Sequence, residues 1–302
     1  MRQHGKQEWE GGAMGFQTRI KEFEYVAPTT LEEASNLHLI YGEKACILAG
    51  GTDIVPLMKR GLLAPECVID ISRIPDMSYI RVKDGVLKLG SLTTIEAIRK
   101  SPLVQENCRA LHMASEVMGS TIIRNVATIG ANICRASPAS DMVPPLVAVG
   151  ASLKIFGPKG IRTIPLEDFF LSFGKANIAV GEILCEIEVP TLPDKQAFIK
   201  LRRTKEDLAK INISTAFNLS DGKCVGIKIA LGSVAPRVVR AKETEKFLEG
   251  KDLGENTVEE ATQIIQGEIE PIDDVRSTAD YRREMSKVIL RRAIRLALER
   301  GE

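Results

Sequence analysis

The chain has 302 residues, of which 44% are hydrophobic and 27% charged, and its 41 basic and 40 acidic residues leave a formal net charge of +1. These values are typical of a globular protein, and they exclude the strongly basic composition of a nucleic-acid-binding domain. No apolar run reaches membrane-spanning length and the first residues lack a secretion signal, so we expect no membrane insertion and a cytoplasmic location.

The six cysteines and three histidines are scattered along the chain rather than grouped. The absence of a C-x-x-C pair argues against local zinc or iron–sulfur ligation, and isolated cysteines are typical of a reducing compartment. Neither His38 nor His112 stands beside a nucleophile motif of the kind that hydrolases use. We therefore predict no metal site in this chain and assign no catalytic residue.

A first lobe is predicted over residues 18–75. The preceding residues 1–17 are rich in Gly, Gln, Glu and Lys, which indicates a disordered tail or a non-native leader that does not belong to the fold. The predicted elements of the first lobe are a helix from Thr30 to Tyr41 opened by a capping box, a short buried strand at 45–49, a helical turn at 54–60 and a strand at 68–71.

A second lobe is predicted over residues 76–192. Asp84-Gly85 lies between two alternating runs and is a strong hairpin signal, while Pro102 opens a helix that extends to Val117. The other predicted elements of this lobe are a helix with a capping motif at 93–96, an apolar helix at 142–149, a hairpin at 153–164 and a strand at 183–189.

The order of elements changes after Pro193-Asp194, which we interpret as a linker. Over residues 193–302 three predicted strands are followed by three predicted helices, a pattern typical of an α+β domain with an antiparallel sheet and helices on one face. The strands are expected at 197–201, 211–219 and 225–231, and the helices at 241–249, 257–267 and 279–299, with a capping box from Thr257 to Glu260.

The first of two segments rich in small residues spans 47–54 and reads I-L-A-G-G-T-D-I. Gly50 and Gly51 let the backbone approach a ligand closely, and Thr52 adds a hydroxyl donor. Asp53 begins a helical turn whose N–H groups attract anions. The missing P-loop lysine and the missing G-x-G-x-x-G spacing disfavour triphosphate and Rossmann sites. Taken alone, this first loop fits best a tight strand-to-helix turn without a ligand.

The second small-residue segment reads A-T-I-G-A-N-I at 127–133 and A-S-P-A-S-D at 136–141. Thr128 offers a hydroxyl, Gly130 permits close approach, and the amide of Asn132 can both donate and accept hydrogen bonds. We expect a strand to deliver these groups, as in the first loop. Together the two segments predict one large phosphate-bearing cofactor held between two lobes.

Asp141 ends the second segment and fits two roles. A lone carboxylate among small residues commonly holds a ribose hydroxyl of a ligand. The same carboxylate could instead cap the apolar helix predicted at 142–149. Both roles stay open at this point, and both could be served at once.

Several motifs stand in register with one known family. The loop at 47–54 is similar to its A-G-G-T-D segment, and the second segment is similar to its T-I-G-G-N stretch followed by N-A-S-P-x-x-D. Residues 199–203 and 232–236 resemble patterns of its C-terminal domain, and residues 281–283 resemble the start of its last helix. The chain thus resembles the FAD-binding medium subunits of the molybdenum hydroxylases, the xanthine dehydrogenase and carbon monoxide dehydrogenase family. The resemblance covers about residues 18–300.

The resemblance implies a two-lobed FAD-binding domain of the PCMH type, with FAD extended between the lobes and its pyrophosphate on the two small-residue segments. Met118, Leu184 and Lys200 match more loosely; each also fits a plain structural role, core packing for the first two and a solvated strand position for the third. The FAD contacts implied by the resemblance are Ile47, Leu48, Ala49, Gly50, Gly51, Thr52, Asp53, Ile54, Met118, Thr128, Ile129, Gly130, Ala131, Asn132, Asp141, Leu184 and Lys200.

Three departures from relatives refine these expectations. Ala131 stands where the family usually has a second glycine; if the position needs a positive φ, alanine costs about 1 kcal/mol. We expect a mild adjustment rather than a loss of binding. An inserted loop with clustered cysteines is missing, so no iron–sulfur cluster is expected in this chain. No histidine precedes the first loop at the spacing used for covalent attachment, so we expect non-covalent FAD.

By the same resemblance, the chain is an electron-transfer subunit of an oxidoreductase. Substrate is oxidised at molybdopterin on a large partner subunit, electrons pass through [2Fe–2S] clusters on a small partner subunit to FAD, and they leave to NAD⁺, ferredoxin or a quinone. A hetero-oligomer is therefore expected, with molybdopterin and [2Fe–2S] on the partners only.

Two alternatives stay open. One is a stand-alone FAD-dependent oxidoreductase of the related two-lobed fold, which the scarcity of histidine and the α+β C-terminal pattern disfavour. The other is a flavin-free structural subunit, for which Ala131 is the one hint. Bound flavin in the purified chain separates the second alternative from the main hypothesis, and copurifying partner subunits separate the first.

Overall fold

A computed structural model describes residues 20–190 and 193–299, so the tail predicted at 1–17 lies outside the described residues. The strands are β1 (Glu24–Val26), β2 (Ala45–Leu48), β3 (Cys67–Asp70), β4 (Ile80–Lys83), β5 (Val86–Gly90), β6 (Ser152–Gly157), β7 (Gly160–Pro165), β8 (Phe170–Ser172), β9 (Lys175–Ala176), β10 (Ile183–Val189), β11 (Lys195–Leu201), β12 (Ile211–Ser220), β13 (Lys223–Gly232) and β14 (Val239–Arg240). The α-helices are α1 (Leu31–Tyr41), α2 (Ile54–Lys59), α3 (Ile95–Lys100), α4 (Pro102–Asn107), α5 (Arg109–Val117), α6 (Thr121–Val126), α7 (Ile129–Cys134), α8 (Val143–Ala148), α9 (Lys242–Leu248), α10 (Glu255–Ile265) and α11 (Ala279–Leu298).

The first lobe is built on a three-stranded parallel sheet in the order β1-β3-β2. Helix α1 begins where the capping box predicts, because Thr30 Oγ1 accepts a hydrogen bond from Glu33 N at 3.1 Å. Ala34 of this helix is fully buried in one cluster with Cys67 and Ile69 of the central strand β3. Edge strand β2 is half-buried rather than buried as predicted, because a central strand is covered more completely than an edge.

The second lobe contains a five-stranded antiparallel sheet in the order β4-β5-β10-β6-β7. The predicted hairpins and the strand predicted at 183–189 are all present, and that strand, β10, lies at the centre. Helices α3 to α8 come between β5 and β6 along the chain. They share a core with inward side chains of the sheet, including the fully buried Leu89, Leu153 and Ile187.

The helix predicted from Pro102 to Val117 is wrong, because two helices, α4 and α5, occupy that stretch. Cys108 between them has φ −147° and ψ 71°, far from helical values, and its side chain is fully buried. The N–H of Ala110 in the first turn of α5 donates to Gln196 Oε1 at 3.3 Å. The break between α4 and α5 is therefore stabilised by a residue far away in the sequence, and no local sequence pattern predicts it.

The first part of the second small-residue segment, 127–133, is mostly helical, whereas we expected a loop delivered by a strand; its second part, 136–141, forms turns. Helix α6 is capped by Ser120, whose Oγ accepts a hydrogen bond from Ile123 N at 3.4 Å. Helix α7 is capped by Thr128, whose Oγ1 accepts from Ala131 N at 3.3 Å. Each helix has six residues, too few for a helical period to be visible in the sequence.

The C-terminal part forms a four-stranded antiparallel sheet in the order β11-β12-β13-β14. One face carries α9 to α11 around a second core with Ile213 and Ile229. The opposite face, through Phe198, Ala216 and Ala230, packs against α5 and α8 of the second lobe. Strand β12 is therefore buried on both faces over most of its length. The predicted α+β architecture, with an antiparallel C-terminal sheet, is confirmed.

One C-terminal helix starts differently from the prediction. Helix α10 begins at Glu255 after the N-cap residue Gly254, so Thr257 lies inside the helix and the capping box at that residue is wrong.

The sequence does not predict β1, β8, β9 or β14, which have three residues or fewer. Such short strands carry no alternation that could be recognised.

Candidate cofactor site

A cavity of about 520 Å³ lies between the two lobes. This volume falls in the range of about 300–1,000 Å³ that is typical of small-molecule sites. The lining residues come from α1 and the first loop on one side and from α7, the β5–α3 turn and the approach to β10 on the other. Both small-residue segments therefore contribute to one cavity, as the sequence predicts.

The first loop lies directly against the end of α6. A Cβ built on Gly50 would lie 1.8 Å from the backbone oxygen of Val126, so only glycine allows this approach. Gly51 has φ +71° and turns the chain toward α2, which begins at Ile54. Gly51 and Thr52 thus line this side of the cavity together with Asp53 and Ile54.

Helix α7 forms the opposite wall of the cavity. A Cβ on Gly130 would lie 2.6 Å from the Cβ of Ser91, and Gly130 N donates to Ser91 O at 2.8 Å, so the helix packs closely on the β5–α3 turn. Ala131 is an exposed residue of this helix and does not have a positive φ. The backbone strain considered for alanine at this position is therefore absent.

The cavity has an apolar interior and a charged rim. Ile47, Ile71, Leu92, Ile183 and Leu184 supply the apolar lining. Four cavity-lining residues carry charge, and they are Arg135, Asp53, Glu182 and Glu43. The first two, Arg135 and Asp53, approach across the cavity with Nε and Oδ1 3.6 Å apart. The third, Glu182, is bound by the Arg162 guanidinium at 2.6 Å, which lowers the pKa of this carboxyl.

The segment at 178–184 is held against α1 by two hydrogen bonds to a single residue. His38 Nδ1 accepts from Gly181 N at 3.1 Å, and Ser35 Oγ donates to Gly181 O at 2.6 Å. Gly181 has φ +83° and lies against the side chain of Leu39. Helix α1 of the first lobe therefore fixes a cavity wall that belongs to the second lobe.

The structure brings together only part of the predicted contact set. The predicted residues that line the cavity are Ile47, Ala49, Gly51, Thr52, Asp53, Ile54, Gly130, Ala131 and Leu184. The predicted residues outside its lining are Leu48, Gly50, Met118, Thr128, Ile129, Asn132, Asp141 and Lys200.

Asp141 and Lys200 form a buried ion pair with Oδ2 and Nζ 2.6 Å apart. Their side chains are 5% and 2% exposed, so the reading of Lys200 as a solvated strand residue is wrong. Asp141 is not the cap of α8: Met142 is the N-cap residue, and Ser140 Oγ accepts from Val143 N at 3.3 Å. Burial raises the pKa of Asp141, although Lys200 and a neighbouring amide oppose the rise.

Met118 and Asn132 make local contacts. Met118 lies at the end of α5 and packs against the core of the second lobe, which agrees with the core-packing role considered for it. Its carbonyl oxygen accepts a hydrogen bond from Arg124 at 3.1 Å. Asn132 Oδ1 accepts a hydrogen bond from Ser140 Oγ at 2.6 Å. The start and the end of the second small-residue segment are thus tied together.

Sequence reasoning missed the remaining cavity residues. Some of them are close in sequence to the second small-residue segment or to the strand predicted at 183–189, and this closeness could have indicated them. The sequence of α1, in contrast, gives no sign that this helix faces a ligand. The missed lining residues are His38, Glu43, Ile71, Ser91, Leu92, Cys134, Arg135, Ile178, Ala179, Val180, Glu182 and Ile183.

Metal-binding clusters and membrane-spanning helices are both absent from the described residues. Over residues 20–190 and 193–299, no three histidine, cysteine, aspartate or glutamate side chains lie close enough together to hold a metal ion. In the same part of the chain, each helix is too short or too polar to cross a membrane.

The two parts of the chain match two family models. Residues 21–192 match the FAD binding domain in molybdopterin dehydrogenase, and residues 196–297 match the CO dehydrogenase flavoprotein C-terminal domain. The chain belongs to the family of FAD-binding medium subunits of molybdenum hydroxylases. As a member of this family it is an oxidoreductase subunit with FAD as its cofactor, as the sequence motifs predict.

Relatives of this family align over nearly their whole length. The chain is 32% identical to the glyceraldehyde dehydrogenase medium chain of Sulfolobus acidocaldarius over 276 residues, which is 91% of this chain and 98% of that one. It is 33% identical to the carbon monoxide dehydrogenase medium chain of Hydrogenophaga pseudoflava over 280 residues, 92% and 98% of the two chains.

Solved structures of the family share the fold. A chain of carbon monoxide dehydrogenase from Hydrogenophaga pseudoflava superimposes with a TM-score of 0.91 at 33% identity, covering 93% of this chain and 99% of that one. A chain of quinoline 2-oxidoreductase from Pseudomonas putida superimposes with a TM-score of 0.88 at 27% identity, with coverages of 93% and 98%. The two-lobed α+β architecture is that of the family.

The residues of the cavity fit an FAD molecule. Gly51, Thr52, Gly130 and Ala131 place small side chains on two walls, which admits an extended ligand. The apolar interior suits the flat face of an aromatic ring, while the hydroxyl of Thr52 and the guanidinium of Arg135 suit hydroxyl and phosphate groups.

Proposed function

We propose that this chain is the electron-transfer subunit of a hetero-oligomeric molybdenum hydroxylase. It would receive electrons from [2Fe–2S] clusters of a small partner subunit and pass them to an external acceptor such as NAD⁺, ferredoxin or a quinone. The observation that carries the proposal is the cavity bounded by both small-residue segments, in a chain that belongs to this family. When bound there, FAD supplies the redox chemistry.

This chain's own residues contribute position and environment. Gly51 and Thr52 present backbone and a hydroxyl on one wall, and Gly130 and Ala131 present the small surface of α7 on the other. Leu184 adds an apolar contact that excludes water from the interior. Electron relay needs no general acid or base, so none of these residues is given a proton-transfer role.

We further propose that FAD is bound non-covalently. His38 is the histidine that lines the cavity, and its Nδ1 is occupied by the N–H of Gly181. That contact leaves the ring neutral, with its proton on Nε2.

We also propose the following domain limits. The FAD-binding domain spans 18–192, with lobes at 18–75 and 76–192, and the C-terminal domain spans 193–302.

The partners proposed are a large molybdopterin subunit and a small [2Fe–2S] subunit. Several relatives are named medium chains or medium subunits, a term that presupposes larger and smaller companions. Substrate oxidation would take place on the large partner. Affinity purification of the tagged chain from its native host should therefore recover two further polypeptides together with molybdenum and iron.

The test of the cofactor is the visible absorption spectrum of the purified chain before and after heat denaturation. We expect the two bands of a flavin and release of FAD into the supernatant. A colourless chain that also fails to take up added FAD would favour a flavin-free structural subunit. Bound FAD combined with substrate oxidation in the absence of partners would favour a stand-alone oxidoreductase.

A matched pair of variants locates the FAD site. Gly51 and Gly222 have nearly the same backbone conformation, φ +71° and φ +75°, but only Gly51 lines the cavity. Gly51→Ala and Gly222→Ala should each lose about 1 kcal/mol of stability. Only Gly51→Ala should also weaken FAD binding, as measured by quenching of flavin fluorescence. Equal FAD affinities in the two variants would argue against the cavity.

A further inference from the structure

The end of the second small-residue segment is anchored to the C-terminal sheet. Ser233 N donates to Pro138 O at 2.7 Å. Lys200 Nζ contacts Asp141 Oδ2 at 2.6 Å. Asn212 lies between these two contacts, and its Nδ2 donates to the carbonyl of Ser140 and to Asp141 Oδ1, both at 3.0 Å. Strand β11, strand β12 and the residue directly after β13 each supply one anchor.

Asn212 can occupy this position in one orientation only. Its side chain is fully buried, and both Nδ2 protons are used by oxygen acceptors. A flipped amide would place Oδ1 against the carbonyl of Ser140 and the carboxylate of Asp141, which is repulsive. Among the described residues no group donates a hydrogen bond to Oδ1, which faces Gly232; a Cβ there would lie 2.2 Å from it.

A second contact connects this anchor to the cavity wall. Ser140, whose carbonyl is held by Asn212, donates from Oγ to Asn132 Oδ1 at 2.6 Å. Asn132 belongs to α7, and its neighbours Gly130 and Ala131 line the cavity. A continuous run of polar contacts therefore leads from the buried face of β12 to the helix that forms one cavity wall.

We infer that Asn212 is a positioning residue for FAD binding: the C-terminal sheet uses its buried amide to hold residues 138–141 and, through Ser140 and Asn132, the wall helix α7. This inference rests on the proposed function, since it concerns how the FAD site is held. It gives the C-terminal domain a direct part in cofactor binding, in addition to any contact that this domain makes with the cofactor itself.

The decisive variant is Asn212→Asp, which replaces one NH₂ group by oxygen without changing the size of the side chain. The new carboxylate would face Asp141 at the distance of the present hydrogen bond, with Lys200 and Arg202 as the nearby cations. As the pH falls, two carboxylates in contact take up one shared proton. The protonated carboxyl group can then donate a hydrogen bond to the other carboxylate, as the amide of Asn212 does in the wild type.

The measurement is the FAD dissociation constant of the full chain between about pH 4.5 and pH 8, a range that covers the upper pKa of about 4.7 known for a carboxylate pair and most of the raised values known for buried carboxyl groups. For Asn212→Asp we expect a dissociation constant about 10- to 100-fold above the wild-type value at the upper limit. The ratio to wild type should shrink as the pH is lowered. A purely structural lesion would give a ratio that does not depend on pH.

The control is Asn218→Asp in the same strand. Asn218 is exposed, and its Oδ1 accepts from Asp194 N at 2.9 Å, a contact that a carboxylate retains. This variant should bind FAD as the wild type does at every pH. A loss of affinity in Asn212→Asp that is equal at every pH, or no loss at all, would overturn the inference.

A second pair of variants decides the matter if Asn212→Asp does not fold. Ser140→Ala removes the hydroxyl that reaches Asn132 and also a helix cap, whereas Ser120→Ala removes only a helix cap, at α6. We expect FAD binding about 3- to 10-fold weaker for Ser140→Ala than for Ser120→Ala. Equal affinities would overturn the inference, and failure of the wild-type chain to bind FAD would remove the proposed function itself.

Discussion

The imidazole of His38 and the backbone of Gly181 are joined by a hydrogen bond in which Nδ1 accepts from the amide N–H at 3.1 Å. The two residues belong to different lobes, and both lie at the cavity. Only a neutral ring can accept this bond, because both nitrogens of an imidazolium are donors. This contact between the lobes therefore depends on the protonation state of one side chain.

This relationship predicts a pH dependence of stability. Burial lowers the pKa of His38 below its ordinary value of about 6.5, so the unfolded chain takes up the proton more readily than the folded chain. The free energy of unfolding should fall as the pH drops below about 6.5, by less than about 1 kcal/mol because the ring is only half-buried. Thermal unfolding of the apo chain across this pH range measures the effect.

The variant His38→Asn isolates this contribution. The Oδ1 of asparagine can accept from Gly181 N in place of Nδ1 but does not titrate, so this component of the pH dependence should disappear. His112→Asn on α5, away from the cavity, is the control that replaces a histidine but keeps the bond between His38 and Gly181. Identical profiles for wild type and His38→Asn would contradict the prediction.

A second prediction concerns the close approach at Gly50. Gly50→Ala would place a methyl group 1.8 Å from Val126 O, and a backbone atom cannot yield without moving α6. We expect a loss of about 2 kcal/mol or more in unfolding free energy, together with weaker FAD binding, because both neighbours of Gly50 line the cavity.

Gly267→Ala is the matched control for this prediction. Its added Cβ would have no heavy atom of the described residues within 4 Å, apart from its own turn and chain neighbours. Chemical denaturation should show a change within about 0.5 kcal/mol for this variant. Comparable losses for the two glycines would refute the argument from close packing.

Ala131 gives a third prediction. Because this residue is helical and exposed, Ala131→Gly should lower the unfolding free energy by up to about 1 kcal/mol. Differential scanning calorimetry of the apo chain would detect the shift. A stabilising effect would instead reveal backbone strain that the observed conformation lacks.

A fourth prediction contrasts two neighbouring arginines of α11. The guanidinium of Arg282 is fully buried and donates to Lys210 O at 2.9 Å, to Ile272 O at 2.6 Å and to Asp274 Oδ1 at 2.7 Å. Although burial alone would raise the pKa of Asp274, its arginine partners hold that pKa well below the ordinary value. Arg282→Met should therefore cost about 3–5 kcal/mol, measured by urea unfolding.

Arg283 provides the control within the same helix. It pairs at 3.1 Å with Asp280, whose side chain is 94% exposed, so the ion pair is screened by water. Arg283→Met should change the unfolding free energy by less than about 1 kcal/mol. A similar cost at both positions would mean that the buried contacts of Arg282 contribute little.

Local signals in the sequence account for much of the fold. The capping box at Thr30 locates the start of α1, and alternation over Ile183–Val189 predicts β10 with its observed bounds. The break at Cys108 depends instead on Gln196, a partner from another part of the chain. Local patterns carry no information about such a contact, which is why one helix was expected where two are found.

The residues of the cavity also fall into two groups, those that local sequence patterns predict and those that they do not. Gly51 and Gly130 could be predicted because small residues in a motif are visible in the sequence. His38 and Glu182 could not, because each reaches the cavity through packing between lobes. Lys200 shows the opposite failure: its place in the strand was predicted correctly, but its burial against Asp141 depends on the contact between the C-terminal sheet and the second lobe.

The central position of β10 imposes an order on folding. This strand pairs with β5 and β6, yet it follows β7 along the chain and is separated from β5 by six helices. Until Val189 has been synthesised, β5 and β6 each expose an unpaired edge, a state that favours aggregation. Joining strands so far apart also costs loop-closure entropy, which makes this assembly slow. A ribosome that pauses before this strand would hold a nascent chain in its most vulnerable state.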